Sequence, residues 1–452
     1  MITFHFKGKE EAFELSKLNN EKQIKDEIVG NEIHIADNLD FLKTNYNRLK
    51  NKIKCIYIDP PYNTGKDFLY KDKWKKGKEC RHSKWLSFMY PRLILARELL
   101  SETGVIFVSI DDNEQANLKL MMTEIFGEEN FVGCFIMNSA PAGTQSSNDI
   151  AQQHSYCLVF KKSDEFNSFK IQLSQKELEK KYYEKDEIGK YYPERLWKRG
   201  IGGKKEDVPS LHFSVYYDEK NNAIFIDDEI KSTDNLIEII PYQTAGVLGR
   251  WTWSKQKMKQ EKNKLIVKII AGSYKLHKKK YLEEDEGQLI QSIINSNIAR
   301  TELGSLEVKQ IFDGKKLFDY PKPVSLIKHI LKIATKPGDI ILDFFAGSGT
   351  TGQAVMELNF EEVQKQKEAL KKKEANQNLL IKEEEEEEKP AGGRKFILVQ
   401  LPEKINEKKE AYKFCISNKL EPVISSITIE RLKRAGDKYN SVDTGFKVFL
   451  SK

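Results

Sequence analysis

The stretch that most limits what this chain can fold into is Cys55-Ile56-Tyr57-Ile58-Asp59-Pro60-Pro61-Tyr62-Asn63-Thr64-Gly65, an apolar run that stops at a carboxylate, two prolines, an aromatic ring and a turn. Cys55 to Ile58 carry β-branched and aromatic residues without polar alternation, which predicts a parallel strand buried on both faces. Pro60 and Pro61 cannot donate to a sheet ladder and fix their own φ, so pairing ends at Asp59 and the backbone leaves the sheet stiff. Asn63-Thr64-Gly65 then turns it. A loop at the carboxyl edge of an α/β sheet is where ligands bind. These parts suit a planar group carrying an amino nitrogen: Asp59 accepts one N–H, the Pro60 carbonyl accepts the other, and Tyr62 stacks on the plane. The same residues also make a proline-stiffened turn in other α/β proteins, and the loop alone leaves both readings open.

At 452 residues the chain exceeds one small domain, since about 150 residues per domain gives two or three. Apolar residues at 39% and charged residues at 32% describe a globular, heavily solvated chain. With 75 basic and 68 acidic residues the net charge is +7, so a polyanion-binding face has to come from local clustering. The cysteines at 55, 80, 134, 157 and 415 form no Cys-x-x-Cys pair and the histidines no His-x-x-x-His pair, so neither a disulfide framework nor a metal site is expected. Cys55 and Cys157 sit in strand-like runs and read as core thiols. Met1 to Lys7 lacks the apolar core of a signal peptide, and no run approaches membrane-spanning length. A cytoplasmic chain with no membrane partner is expected.

Residues 9 to 29 read as a peripheral helix. Asn31 to Asn38 is a short strand running into an Asp-Asn turn, where Asp37 serves either as a helix N-cap or as a ligand carboxylate. Phe68 to Arg81 is basic and aromatic, either a loop touching a phosphate backbone or a solvated surface. A helix is predicted from Trp85 to Leu100, a buried strand from Gly104 to Asp112, a helix from Asn117 to Phe126 and a strand from His154 to Phe160. That alternation describes a parallel α/β sheet over residues 1–160. From 161 to 300 the pattern turns irregular. Lys198, Arg199, Arg250, Trp251 and Lys255 stand in clusters of bases interleaved with rings, which suit a nucleic-acid surface combining phosphate contact with stacking. The α/β pattern resumes over 301–452, interrupted at 361–389 by a charged insert with consecutive glutamates at 383 to 388.

Ile340-Ile341-Leu342-Asp343-Phe344-Phe345 is a second buried strand, and Ala346-Gly347-Ser348-Gly349-Thr350-Thr351-Gly352 opens a helix after it. Gly347, Gly349 and Gly352 match a dinucleotide-binding fingerprint in letters, which makes a nicotinamide enzyme a rival reading. That fingerprint expects an acid about 20 residues on; here the next strand follows the charged insert and ends in Gln400. An adenosine-bearing cofactor without a pyrophosphate fits better. Asp343, the bare backbone at Gly347 and Gly349, and a helix N-terminus suit an amino acid moiety through its ammonium and carboxylate. S-adenosylmethionine has that moiety and supplies a methyl group for an amino nitrogen.

The Asp-Pro-Pro-Tyr loop preceding Asp343-Phe344-Phe345-Ala346-Gly347-Ser348-Gly349-Thr350 resembles the permuted beta class of amino-methylating DNA methyltransferases. Asn63 to Phe68, Trp85-Leu86, Tyr90 to Leu93, Ile110 to Glu114, Arg250 to Trp253 and Arg394 to Glu403 are similar to the modification subunit of type III restriction–modification systems. The resemblance implies a Rossmann-like, S-adenosylmethionine-dependent α/β sheet with a target-recognition domain inserted at 161–300. It implies a site-specific adenine-N6 methyltransferase in which Asp59, Pro60, Pro61 and Tyr62 hold the flipped adenine. Asp343, Phe345, Gly347, Ser348, Gly349 and Thr350 would line the methionine end of the cofactor, with Pro321, Lys322 and Pro323 beside it and Asp37 and Asn38 at its adenine. Gln400 stands where many relatives carry the acid that binds the ribose, with Glu403 as the substitute. Cytosine-N4 methylation is the near alternative, although relatives of that kind commonly carry Ser at the position of Asp59; a non-catalytic DNA-binding specificity module is the distant one. The implied partners are double-stranded DNA, a restriction subunit carrying nuclease and helicase functions, and a second copy of the chain. The chain is short for a type III subunit, which leaves the restriction partner open.

Overall fold

The computed structural model describes residues 3–18, 23–24, 26–65, 80–143, 149–166, 169–171, 173, 175–230, 232, 234–241, 247–285, 287–377, 392–439 and 442–450. Residues 68–79 of the basic, aromatic stretch from Phe68 to Arg81, and the six-glutamate run, lie outside them. The chain divides into two compact units, one of Met1–Phe169 with Ile290–Lys452 and one of Lys170–Leu289. The inserted unit is narrower at both ends than 161–300, because Phe169 and Ile294 are buried in the core of the first unit.

The first unit is a sheet of nine strands among the described residues: β1 (Asn31–Ile35), β2 (Ile53–Ile58), β3 (Leu100–Ile110), β4 (Phe131–Met137), β5 (Ser155–Lys161), β6 (Ile293–Ile294), β7 (Ile340–Asp343), β8 (Lys395–Gln400) and β9 (Phe446–Leu450). Their order is β6-β4-β5-β3-β2-β7-β8-β1-β9. All neighbours from β3 to β9 run parallel, and β5 is antiparallel to both β3 and β4. The apolar run of β2 follows from its place in the middle. Cys55 and Tyr57 face one core, Ile56 and Ile58 the other.

Helices cover the faces: α1 (Lys9–Ser16), α2 (Asn38–Thr44), α3 (Arg81–Leu99), α4 (Gln115–Phe126), α5 (Thr301–Ile311), α6 (Val324–Ala334), α7 (Thr350–Gln377), α8 (Glu410–Ser417) and α9 (Ile424–Lys438). The peripheral helix expected over 9–29 ends at Ser16. The charged insert begins inside α7, and its first residues are structural. Glu361 pairs with Lys328 and, at 3.0 Å, with Lys332 of α6. Both oxygens of Glu362 accept from the buried Arg394 at 2.7 Å. Charge composition marks this segment as solvated because its two anchoring acids look like the rest of the run.

The second unit holds an antiparallel sheet of Leu265–Ile270, Ser273–Tyr281, Lys190–Arg195 and Glu184–Lys185, and another of Ala223–Ile226, Val215–Asp218 and Ile237–Ile239. Its core gathers Leu196, Phe213, Val215, Trp251 and Leu276.

Candidate active site

The carboxyl ends of four neighbouring strands, β2, β7, β8 and β1, meet at a cavity of about 270 Å³. Chain order and spatial order differ here. The loop after β2 and the loop after β7 lie 284 residues apart in numbering at Asp59 and Asp343, yet both carboxylates line the one cavity.

Asp343 closes β7 and is 3% exposed. Its carboxylate accepts the Phe345 N–H at 3.0 Å and the Thr351 hydroxyl at 2.6 Å. Burial pushes this carboxyl up to about 7, against the lowering effect of those two hydrogen bonds, and the negative charge of Asp59 adds to the rise. The glycine loop follows. Gln400 Oε1 accepts the Gly347 N–H at 2.7 Å, the Thr428 hydroxyl donates to the Gly347 carbonyl at 2.6 Å, and the Gly349 N–H donates to the Ala346 carbonyl at 2.8 Å. Glycine is required for two separate reasons. Gly349 sits at φ +84, and a Cβ on Gly352 would lie 2.8 Å from Leu432 of α9.

Asp37 is an N-cap that also borders the cavity. It caps α2 by accepting the Leu39 N–H at 2.7 Å and the Asp40 N–H at 3.3 Å, and it also lines the cavity. Arg92 of α3 donates to Asn38 at 2.6 Å and stands 3.4 Å from Asp37, with its guanidinium 3.8 Å from the centroid of the Phe88 ring.

The target loop is held from behind. Trp85 Nε1 donates to the Pro61 carbonyl at 2.7 Å, and the Asn63 side chain, on a left-handed residue at φ 58, donates to the buried Glu114 at 2.5 Å. Asp59 faces the cavity with both oxygens engaged. The Tyr62 hydroxyl donates to one at 2.7 Å and the Lys322 ammonium to the other at 2.9 Å. Lys322 also donates to the Tyr62 hydroxyl at 2.8 Å, and it lies 5.0 Å from the Tyr62 ring centroid. Burial first, then the Asp59 charge, pushes the Tyr62 phenol well above its ordinary range.

Thirteen residues singled out from the sequence line the cavity: Asp37, Asn38, Asp59, Pro61, Pro321, Lys322, Asp343, Phe345, Gly347, Ser348, Thr350, Gln400 and Glu403. Pro60, Tyr62, Pro323 and Gly349 are not among the lining residues, although each adjoins one that is. Pro60 is buried, the Tyr62 hydroxyl donates to Asp59, Pro323 caps the start of α6, and Gly349 packs against α9. Lys322 belongs to the Asp59 side of the cavity, and Gln400 uses its amide oxygen on the loop. Phe88, Phe318, Tyr320 and Ile424 are among the other lining residues and were not singled out as site residues from the sequence.

In the second unit, Lys198 and Arg199 are exposed. Three other residues expected at a nucleic-acid surface have structural work. Trp251 is 1% exposed and donates its indole N–H to the Phe213 carbonyl at 2.8 Å. Arg250 braces the Gly202 carbonyl at 2.6 Å, and Lys255 pairs with Asp227. Elsewhere in this unit long lysines fold back over rings. Lys275 lies 5.8 Å from Trp197, and Lys279 lies 5.3 Å from Tyr191.

A parallel sheet that joins a glycine loop and an acidic proline loop at one carboxyl edge defines an α/β enzyme site for a nucleoside-type ligand. The chain belongs to the DNA methylase family, which matches residues 53–388. It is 34% identical over 445 residues to the EcoPI Mod subunit of a type III restriction-modification enzyme of Escherichia phage P1, covering 91% of this chain and 64% of that protein. It is 32% identical over 412 residues to the type II methyltransferase M.KpnI of Klebsiella pneumoniae, covering 90% of this chain and 88% of that one. The chain thus spans less than two thirds of the length of the EcoPI subunit. Among solved structures, the cytosine-N4-specific PvuII DNA methyltransferase is 11% identical with a TM-score of 0.38, covering 94% of this chain and 96% of that chain.

Proposed function

We propose that the chain is a site-specific DNA adenine-N6 methyltransferase that uses S-adenosylmethionine. The observation that carries the reading is the shared cavity: Asp59, an acceptor suited to an amino group, and Asp343, an acceptor suited to an ammonium, line the same space. The donor set fits the cofactor: a buried carboxylate beside a glycine loop for an amino acid end, and Asp37 with Phe88 for a flat heterocycle. Glu403 rather than Gln400 takes the ribose hydroxyls in this reading, because the Gln400 amide oxygen already accepts the Gly347 N–H.

S-adenosylmethionine supplies a methyl group on a sulfonium, which is already a good leaving group. The protein's task is to prepare the nitrogen. Adenine N6 is a poor nucleophile because its lone pair is delocalised into the ring. Asp59 accepts one N6 proton and the Pro60 carbonyl the other, which favours a tetrahedral nitrogen with its lone pair free. Lys322 holds the Asp59 carboxylate in position through its 2.9 Å contact, and the carboxylate is the acceptor for the proton that the nitrogen gives up once it carries the methyl group. Flipping the base costs a few kcal/mol, offset in part by contact with Tyr62.

The second unit reads the DNA sequence in this proposal, with Lys198 and Arg199 on the phosphates. A restriction subunit is the proposed protein partner, on the strength of the type III relative. A second copy of the chain is tested by mass in solution. No helix of the described residues is long and apolar enough to cross a membrane, and substrate DNA puts the proposed workplace in the cytoplasm. The test is to incubate the protein with labelled cofactor and genomic DNA and map the modified base and its context; adenine N6 in a fixed context is the expected result.

A further inference from the structure

Arg431 on α9 is fully buried, and it forms no ion pair among the described residues. Its Nη1 donates to Ser348 Oγ at 2.5 Å and to Thr350 Oγ1 at 2.8 Å, and its Nε donates to Gln353 at 2.9 Å. Nη2 has no hydrogen-bond partner among the described residues. Burial lowers the guanidinium to about 10, and Glu307 draws it back up, so it carries its charge at neutral pH.

A guanidinium can only donate. Both hydroxyl oxygens therefore act as acceptors toward Arg431, and their own protons have to point elsewhere. The contact between Ser348 Oγ and Thr350 Oγ1 at 3.2 Å takes at most one of the two protons. At least one O–H is left for the cavity, which both residues line. The backbone of the loop cannot supply that donor at most positions. The N–H groups of Phe345, Ala346, Gly347 and Gly349 are engaged by Asp343, the Val399 carbonyl, Gln400 and the Ala346 carbonyl.

We infer that Arg431 is a positioning residue that turns the Ser348 and Thr350 hydroxyls into donors for a ligand carboxylate, so that this end of the cavity selects ligands with a free amino acid carboxylate. The inference rests on the cofactor reading above. It goes beyond it in giving the carboxylate to two hydroxyls set by a buried cation, where the sequence pointed to the glycine backbone. The Arg431 charge behind the loop, which has no ion-pair partner among the described residues, adds to the same preference, since little solvent screens it there.

The test compares two ligands on the full chain by calorimetry: S-adenosylhomocysteine, which has the amino acid end, and 5′-methylthioadenosine, which lacks it. Arg431→Gln should weaken S-adenosylhomocysteine by about tenfold or more and leave 5′-methylthioadenosine within about twofold, with Arg431→Lys recovering most of the loss. If Arg431→Gln does not fold, the double variant Ser348→Ala, Thr350→Val removes the donors directly and should give the same selectivity. Equal weakening of both ligands in a folded variant, or no weakening of either, would overturn the inference while leaving the cofactor reading in place. A parent protein that binds neither ligand would overturn the cofactor reading and this inference with it.

Discussion

The Lys322 ammonium and the Asp59 carboxylate, 263 residues apart in the chain, form an ion pair at 2.9 Å on the wall of the cavity. Lys322 is about one-sixth and Asp59 about one-quarter exposed, so the pair is screened only in part. It places a cation beside the group proposed to take the target amine. Lys322→Met should therefore slow methyl transfer by about tenfold or more, from the loss of a charge-assisted contact of about 1.5–3 kcal/mol, and leave cofactor affinity nearly unchanged. Single-turnover rates and calorimetry separate the two effects. Weaker cofactor binding with an unchanged rate would return Lys322 to the cofactor side.

Asp343 gives a pH dependence with a defined sign. Its ordinary value is 3.8 and burial pushes it up to about 7, so across that window the folded protein holds a proton that the unfolded chain has lost. The stability this carboxyl contributes is fully present below 3.8 and is lost as pH rises through 7. A ligand ammonium prefers the ionised form. Cofactor affinity should rise through pH 7 with proton release on binding, measured by calorimetry in two buffers of different ionisation enthalpy. Asp343→Asn should flatten that dependence, and a flat profile in the parent would refute the assignment.

Gly304 on α5 supports Lys322 at a distance. A Cβ there would lie 2.1 Å from the Pro321 carbonyl and 2.8 Å from the Lys322 carbonyl carbon. Gly304→Ala should cost about 1–3 kcal/mol from overpacking and should slow methyl transfer by moving Lys322 off Asp59. Gly133→Ala is the control, since nothing lies within 4 Å of its Cβ. Thermal midpoints and rates of the two variants should differ clearly; similar values would mean that α5 yields without consequence.

What the sequence disclosed was what single continuous segments encode. Cys55 to Tyr62 and Ile340 to Thr350 declared two strand ends and their loops because unbroken apolar runs, prolines and glycines act locally. Lys322 and Arg431 could not be read that way, since their partners Asp59 and Ser348 are reached only through the fold. Trp251 misled because a ring beside an arginine looks alike on a surface and in a core; its burial and its bond to the Phe213 carbonyl come from the fold. Gln400 was recognised as a departure from the family pattern, but its hydrogen bond to Gly347 needed the loop's curvature.

The charged insert can be trimmed only from within. Asn359 and Arg394 clasp each other through two hydrogen bonds of 3.0 Å, so the chain leaves and returns at one place. A short Gly/Asn turn replacing residues 366–391 should keep turnover and cofactor affinity, because a run this rich in Lys and Glu buries too little to support the site. Glu362→Gln should instead lower stability by about 1–3 kcal/mol, leaving the Arg394 guanidinium, 3% exposed, without its acid. Thermal midpoints decide it. A trimmed protein that is folded but no longer binds cofactor would show that the insert supports the cavity.

Mapping the base modified by the parent and by Asp59→Ala, alongside cofactor affinity for both, bears most directly on the proposed chemistry. The account predicts N6-methyladenine in a fixed sequence context from the parent. Asp59→Ala should bind cofactor with nearly parental affinity and lose methyl transfer by more than about tenfold. Methylation at cytosine N4, or an Asp59→Ala protein that still methylates within about tenfold of the parent, would contradict it.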